Sequence, residues 1–353
     1  MTHRAGDTGT GGDAGAAGDG GGAEDAGAAG DAGTGGDAGA AGYAGAAPST
    51  GYVIARFPLH SPVDLALTLA PLRHGRDDPT IRFAGDGVWI ARGTAGGPAT
   101  LHLSAEAGAI VAEAWGPGAR LAIEAAPGLA GLLDDPDRLV ARHPLIHELQ
   151  RRFGGLRLPR SGQLLPALIP AVIEQKVTAG EAHGAYVGLV RRLGEPAPGP
   201  TGESATLLLP PGSARLASLP YFEFHPLGLE RRRAELLRRV GRNGDRIDSW
   251  IALSPAEART RLQTIPGVGP WTAAETTRIA FGDPDAVSIG DAHLPDLVSW
   301  ALAGEPRADD ARMLEILAPY AGQRARVVRL LEVAGIKIPR FGPRFTPRRI
   351  TRI

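Results

Sequence analysis

The stretch Leu262-Gln263-Thr264-Ile265-Pro266-Gly267-Val268-Gly269-Pro270-Trp271-Thr272-Ala273 holds a chemistry that needs no reactive side chain. Gly267 and Gly269 supply the backbone freedom of a tight turn and leave amides uncovered. Pro270 restarts a helix with its fixed φ and its missing donor. Free N–H groups at such a helix start bind a phosphate anion. Ser254-Pro255-Ala256-Glu257 opens the helix before the turn as a capping box. Twenty residues beyond Trp271, Gly290-Asp291-Ala292-His293-Leu294 sets a carboxylate at the opening of another helix, where Asp is also a common N-cap.

Taken together, Ile265-Pro266-Gly267-Val268-Gly269, Thr272-Ala273 and Gly290-Asp291-Ala292-His293-Leu294 resemble the helix-hairpin-helix base-excision DNA glycosylases. Within that superfamily the chain is most similar to the alkylation-repair branch of 3-methyladenine DNA glycosylase II type. The resemblance covers residues from about 51 to 335 and is strongest in the second half. It implies that Asp291 is the essential aspartate. A fixed carboxylate beside C1′ stabilises the oxocarbenium-like charge that develops as the base leaves, and it orients or deprotonates the attacking water. Gly267, Val268, Gly269 and Thr272 become the phosphate-binding hairpin. Bifunctional members carry a lysine, which forms a Schiff base, where this chain has Trp271. A monofunctional enzyme without lyase activity is therefore expected.

The resemblance also implies a monovalent cation on the backbone carbonyls of Gln263, Ile265 and Val268. It makes Gln175 and Lys176 the turn that probes the duplex when a base is flipped out, although the branch usually carries an apolar wedge there. An electron-poor alkylated purine stacks on aromatic rings, so Trp271, Tyr221, Phe222 and Trp300 are candidates for the base pocket, with Trp250 a further ring. Glu275 stands where the relative has a tyrosine, and the relative's aromatic residue on its last helix has no counterpart around Val327 to Leu331. The activity implied is excision of alkylated purines by base flipping and hydrolysis. Two alternatives stand beside it. One is a glycosylase for oxidised, deaminated or mismatched bases, which a pocket rich in hydrogen-bonding groups would favour. The other is a DNA-binding protein that kept the hairpin and lost the chemistry.

The elements that must position these residues fall into segments. Residues 1–50 are Gly, Ala, Asp and Thr in loose repeats with almost nothing to bury, and disorder is expected. Residues 51–126 read as an α+β domain with an antiparallel sheet: five strand-like runs between turn signals, and a helix over Val63 to Leu72. The resemblance likens this domain to half of the TATA-binding-protein fold. Residues 127–335 read as the all-α helix-hairpin-helix domain. It includes an apolar helix from Leu164 to Gln175, a capping box at Thr178-Ala179-Gly180-Glu181 and a Pro/Gly linker from Glu195 to Ser204. Leu229, Ala234, Leu236, Leu237 and Val240 lie at helical spacing, with Arg231, Arg232, Arg233, Arg238 and Arg239 mostly elsewhere on the wheel. Residues 336–353 form a basic tail, with six bases from Lys337 onward.

Composition narrows the classes. Formal net charge is zero, but residues 1–50 carry seven acids and one base, which leaves the rest at +6. That balance agrees with double-stranded DNA as partner. The chain has no cysteine, so disulfides, thiol catalysis and an iron–sulfur cluster are excluded. No cofactor is required by the chemistry. No apolar run is long enough to span a membrane and no signal-peptide core is present, so a cytoplasmic monomer is expected.

Overall fold

Alternation along the first strands builds the sheet. In the computed structural model, which describes residues 51–200 and 207–338, β1 (Tyr52–Pro58), β2 (Ile81–Ala84), β3 (Gly87–Thr94), β4 (Gly97–Glu106) and β5 (Ala109–Trp115) pair antiparallel in the order β1-β5-β4-β3-β2. The register sets Val88 opposite Leu103 and Ile90 opposite Leu101, and Leu101 and Leu103 opposite Ala114 and Ala112. This apolar face is covered by α1 (Leu65–Leu69) and α2 (Ala119–Leu129) through Leu69, Ala122, Ile123 and Leu129. Burial of such side chains is worth about 1.5–3 kcal/mol each.

The expected helix over 63–72 is shorter than its pattern. Asp64 accepts from Leu67 N–H and caps α1, and Pro71 lies in a 3-10 turn, Ala70–Leu72, that ends it. The helix α2, absent from the sequence reading, runs across residue 126 and packs on the sheet.

The opposite face of the sheet holds the stacked rings of Trp89, His102 and Trp115, with Leu207 and Leu209 beside Trp89. Ala197, in the segment read as a Pro/Gly linker, packs against the same cluster. Pro196 bridges Leu208, and Leu208 N–H donates to Pro79 O. Residues 201–206, which hold the end of that linker, the tail 1–50 and residues 339–353 of the basic tail lie outside the described residues.

The remaining helices are α3 (Pro144–Arg152), α4 (Leu164–Ile173), α5 (Ala179–Leu193), α6 (Ser213–Ser218), α7 (Arg231–Arg242), α8 (Gly244–Ser249), α9 (Pro255–Gln263), α10 (Pro270–Phe281), α11 (Leu294–Ala303), α12 (Asp310–Leu317) and α13 (Arg324–Ala334). The apolar helix α4 is the hub of one core, packed by α5, α7, α8 and α10. A second core gathers α3, α11, α12 and α13. Both expected capping boxes form, at Thr178 with Glu181 and at Ser254 with Glu257. Of the six arginines on α7, Arg233 is the buried one. Its guanidinium donates to Ile173 O at 2.6 Å and closes the C-terminal end of α4. No helix among the described residues is long and apolar enough to cross a membrane.

Candidate active site

Helix α9 ends at Gln263 and α10 begins at Pro270, and the turn between them is made of backbone. Gly267 has φ +102°, a conformation L side chains avoid, and a Cβ there would stand 3.1 Å from Leu236. Gly269 is the N-cap of α10 and offers no side chain to its amides. Ile265 and Val268 turn their side chains into the core, and Val268 N–H donates to Ile265 O at 2.9 Å. Carbonyls are therefore what the turn can present to a hard cation, and Gln263, Ile265 and Val268 suit one in donor type. Among the described residues no group of His, Cys, Asp and Glu could hold a metal ion.

The turn after α4 is tied to this hairpin. Gln175 Nε2 donates to Gly267 O at 3.0 Å and to Thr272 Oγ1 at 2.8 Å. Thr272 is buried. Of the two residues expected at the duplex, Gln175 is thus engaged with protein. Lys176 is exposed and has φ +56°, the one positive φ outside glycine among the described residues.

Asp291 is half-buried and held by three donors. Trp271 Nε1 donates to its Oδ2 at 2.9 Å, and the amides of His293 and Leu294 donate to its Oδ1 at 2.8 and 2.9 Å. The N-cap of α11 is His293 and not Asp291, but the Asp291 carboxylate, two residues earlier, still accepts from the first amides of the helix, and these bonds orient it. The loop before it is pinned as well. Gly290, at φ +88°, donates its N–H to both Asp310 oxygens.

Asp291 lines a cavity of about 280 Å³ between α10, α11 and α13. Beside Asp291 and His293, its charged and polar wall is made by Glu275, Arg278, Ser288, Arg329 and Glu332. Glu275 pairs with Arg278 at 2.5 Å and accepts from Ser288 Oγ. Burial works to lower the Arg278 guanidinium, but the Glu275 and Glu332 carboxylates outweigh it and raise it above its ordinary value. Arg329 is held below its ordinary value by burial, which its pair with Glu332 only partly offsets. Two cations and two carboxylates thus form one neutralised wall.

No family model matches the chain, and no curated protein matches it. The structure is similar to the 3-methyladenine DNA-glycosylase from Archaeoglobus fulgidus, with a TM-score of 0.65 at 18% identity over 78% of this chain and 97% of that one. The fold is that of the DNA glycosylases. It is also similar to the Clostridium acetobutylicum 8-oxoguanine glycosylase/lyase in complex with double-stranded DNA, with a TM-score of 0.62 at 13% identity over 81% of this chain and 97% of that one. A third match is MBOgg1 in complex with a low-affinity DNA ligand, with a TM-score of 0.63 at 14% identity over 84% and 99% of the two chains. The superfamily resemblance read from the residues agrees with these neighbours. The first two are named for different bases, 3-methyladenine and 8-oxoguanine, so the fold alone does not select a substrate.

Within this glycosylase fold the expected site residues divide. Trp271, Glu275 and Asp291 come together. Tyr221 and Phe222 lie in a 3-10 turn, Tyr221 under the Arg231 guanidinium and Phe222 exposed, and neither they nor Trp300 lines the Asp291 cavity. No Trp, Tyr or Phe is among the described residues that line it. The sequence reading missed Arg278, Ser288, Arg329 and Glu332. The available signal was an acid–base pair at three-residue spacing on each of two helices, Glu275 with Arg278 and Arg329 with Glu332.

Proposed function

We propose that this chain is a DNA glycosylase that binds double-stranded DNA at the α9–α10 turn, everts one nucleotide and hydrolyses its N-glycosidic bond at Asp291. The observation that carries the reading is the Asp291 carboxylate, fixed by three donors at the edge of a cavity beside the hairpin helix. A carboxylate has about four acceptor positions, so one remains for a water or for the charge developing on the sugar. Fixed orientation keeps the reorganisation cost of the transition state low. Trp271 offers an indole N–H where a Schiff base would need an amine, so the product is an abasic site in an uncut strand. A monovalent cation held by the carbonyls of Gln263, Ile265 and Val268 would add positive charge for the DNA phosphate.

The wall of the cavity supports oxidised or deaminated bases as substrates. Such bases present N–H and C=O groups side by side, and Glu275 and Glu332 can accept while Arg278 and Arg329 donate. A site built from buried hydrogen-bonding groups rejects a base that leaves them unpaired. A second reading, excision of alkylated purines, rests on the Trp271 indole, which bonds Asp291 but does not line this cavity, so a cationic ring would stack on it outside the charged wall.

The test is release of free base from duplexes that carry 8-oxoguanine, hypoxanthine, 3-methyladenine or a mismatch, with Asp291→Asn in parallel. Release from the first two supports the charged-wall reading, and release of 3-methyladenine alone supports the second. DNA binding with no release from any duplex leaves a binding protein and overturns the enzyme. Borohydride treatment is expected to trap no protein–DNA adduct.

A further inference from the structure

A second cavity, of about 250 Å³, lies where β3 meets α4, α5 and α10. Arg92 on β3 lines it and is only 7% exposed. One arm of its guanidinium donates to Ser161 O at 2.8 Å. Its Nε is buried and has no hydrogen-bond partner, and Arg92 makes no ion pair with a carboxylate among the described residues. Burial lowers the Arg92 guanidinium to about 10, which leaves it cationic at neutral pH. A buried charge without a counter-charge is unfavourable by several kcal/mol, and an unsatisfied buried donor adds to that cost.

The other groups on this cavity do not neutralise Arg92. Glu174 is 3.5 Å from His74 Nδ1, and Glu275 is taken by Arg278. The space is far larger than the roughly 30 Å³ share of a single water and close to the lower limit of known ligand pockets. The Glu275–Arg278 pair stands in the walls of both cavities, so it separates this one from Asp291.

We infer that this cavity is a second ligand site, which takes a small oxyanion, carboxylate or phosphate, at the Nη1 arm of Arg92, the guanidinium nitrogen that is neither bonded to Ser161 nor shut off from the space. The planar fork of a guanidinium matches two oxygens of either group. The inference does not depend on the glycosylase reading, because neither Asp291 nor the hairpin takes part.

The test is thermal unfolding of the full chain in inorganic phosphate, acetate or deoxyadenosine monophosphate, each against chloride at matched ionic strength. Wild type is expected to gain roughly 3 °C at tenfold excess over the dissociation constant. Arg92→Met is expected to lose that gain. A gain with phosphate and acetate assigns a free small anion, and a gain with the nucleotide alone assigns a phosphate carried by a nucleotide. No gain in any of the three, or an equal gain in Arg92→Met, overturns the site. Should Arg92→Met fail to fold, phosphate titration of wild type followed through the Arg92 Nε–H resonance answers the same question: a saturable shift supports the site, and none overturns it.

Discussion

Trp271 Nε1 donates to Asp291 Oδ2 at 2.9 Å, and this bond joins the first turn of α10 to the loop that opens α11. The indole that stands on the first turn of α10 therefore also aims the carboxylate. A hydrogen bond to a charged group is worth about 1.5–3 kcal/mol. If that energy positions Asp291, Trp271→Phe lowers the single-turnover rate of base release by roughly 10–100-fold while the melting temperature falls by only a few degrees, so that the variant stays folded in the assay. An unchanged rate would mean that the two cap amides suffice to aim Asp291.

Glu275 is the side chain that links the cavity wall internally, through Arg278 and Ser288. Glu275→Gln keeps the shape and removes the charge. Release of bases with an N–H beside a C=O is expected to fall at least about tenfold, since one buried pairing is lost. Affinity for undamaged duplex should stay as it was, because the hairpin is untouched. Gel-shift and base-release assays on the same preparation separate the two effects.

Much of this arrangement was legible in the residues. Ser254 with Glu257 and Thr178 with Glu181 announced two helix starts because a capping box is a local hydrogen-bond pattern. Gly267 and Pro270 likewise marked their turn through φ, whereas Gly269, expected to need the same freedom, lies at φ −95° in extended backbone that any residue adopts. What escaped is non-local. The wall made by Glu275, Arg278, Arg329 and Glu332 joins α10 to α13, and neither helix shows its partner in its own sequence. Gln175 read as a duplex contact, yet its amide is engaged by Gly267 and Thr272, more than ninety residues away. Tyr221 and Phe222 read as pocket aromatics from their clustering, and clustering does not tell which cavity an aromatic faces.

Asp134 and Arg326 form an ion pair whose side chains are 6% and 4% exposed, with Leu158 N–H also donating to Asp134. The pair fastens the chain after α2 to α13, which walls the candidate site. Removing one member of a buried pair strands the other, at a cost of about 3–5 kcal/mol. Asp134→Ala is expected to lower stability by that amount in urea unfolding. The double variant Asp134→Leu with Arg326→Met should recover much of it, and a double variant as unstable as the single one would contradict a stranded charge as the cause.

Asp285 sets an acid limit. Burial alone would raise its carboxyl, but hydrogen bonds from Arg324 and Gly322 and the Arg324 charge hold it below the ordinary carboxylate range. A carboxyl depressed in the folded state adds stability above its unfolded value of about 3.9, and that stability is lost as pH falls through the folded value. The stability gap between wild type and Asp285→Asn is therefore expected to be constant from about pH 7 to 5 and to close below about pH 4. A gap that persists in acid would assign the loss to packing.

Lys176 holds φ +56° in an exposed turn, beside a glutamine bonded to the hairpin. A left-handed conformation costs an L residue roughly 1–2 kcal/mol, and glycine avoids that cost while losing about 0.5–1 kcal/mol to its freer unfolded chain. Lys176→Gly is thus expected to stabilise the protein by up to about 1 kcal/mol, read as a small rise in melting temperature. If the strain is kept because the side chain enters the duplex, the same variant weakens binding to a duplex with an abasic site more than to an intact one. Equal binding of both duplexes by variant and wild type would show that the turn carries strain without a role in probing DNA.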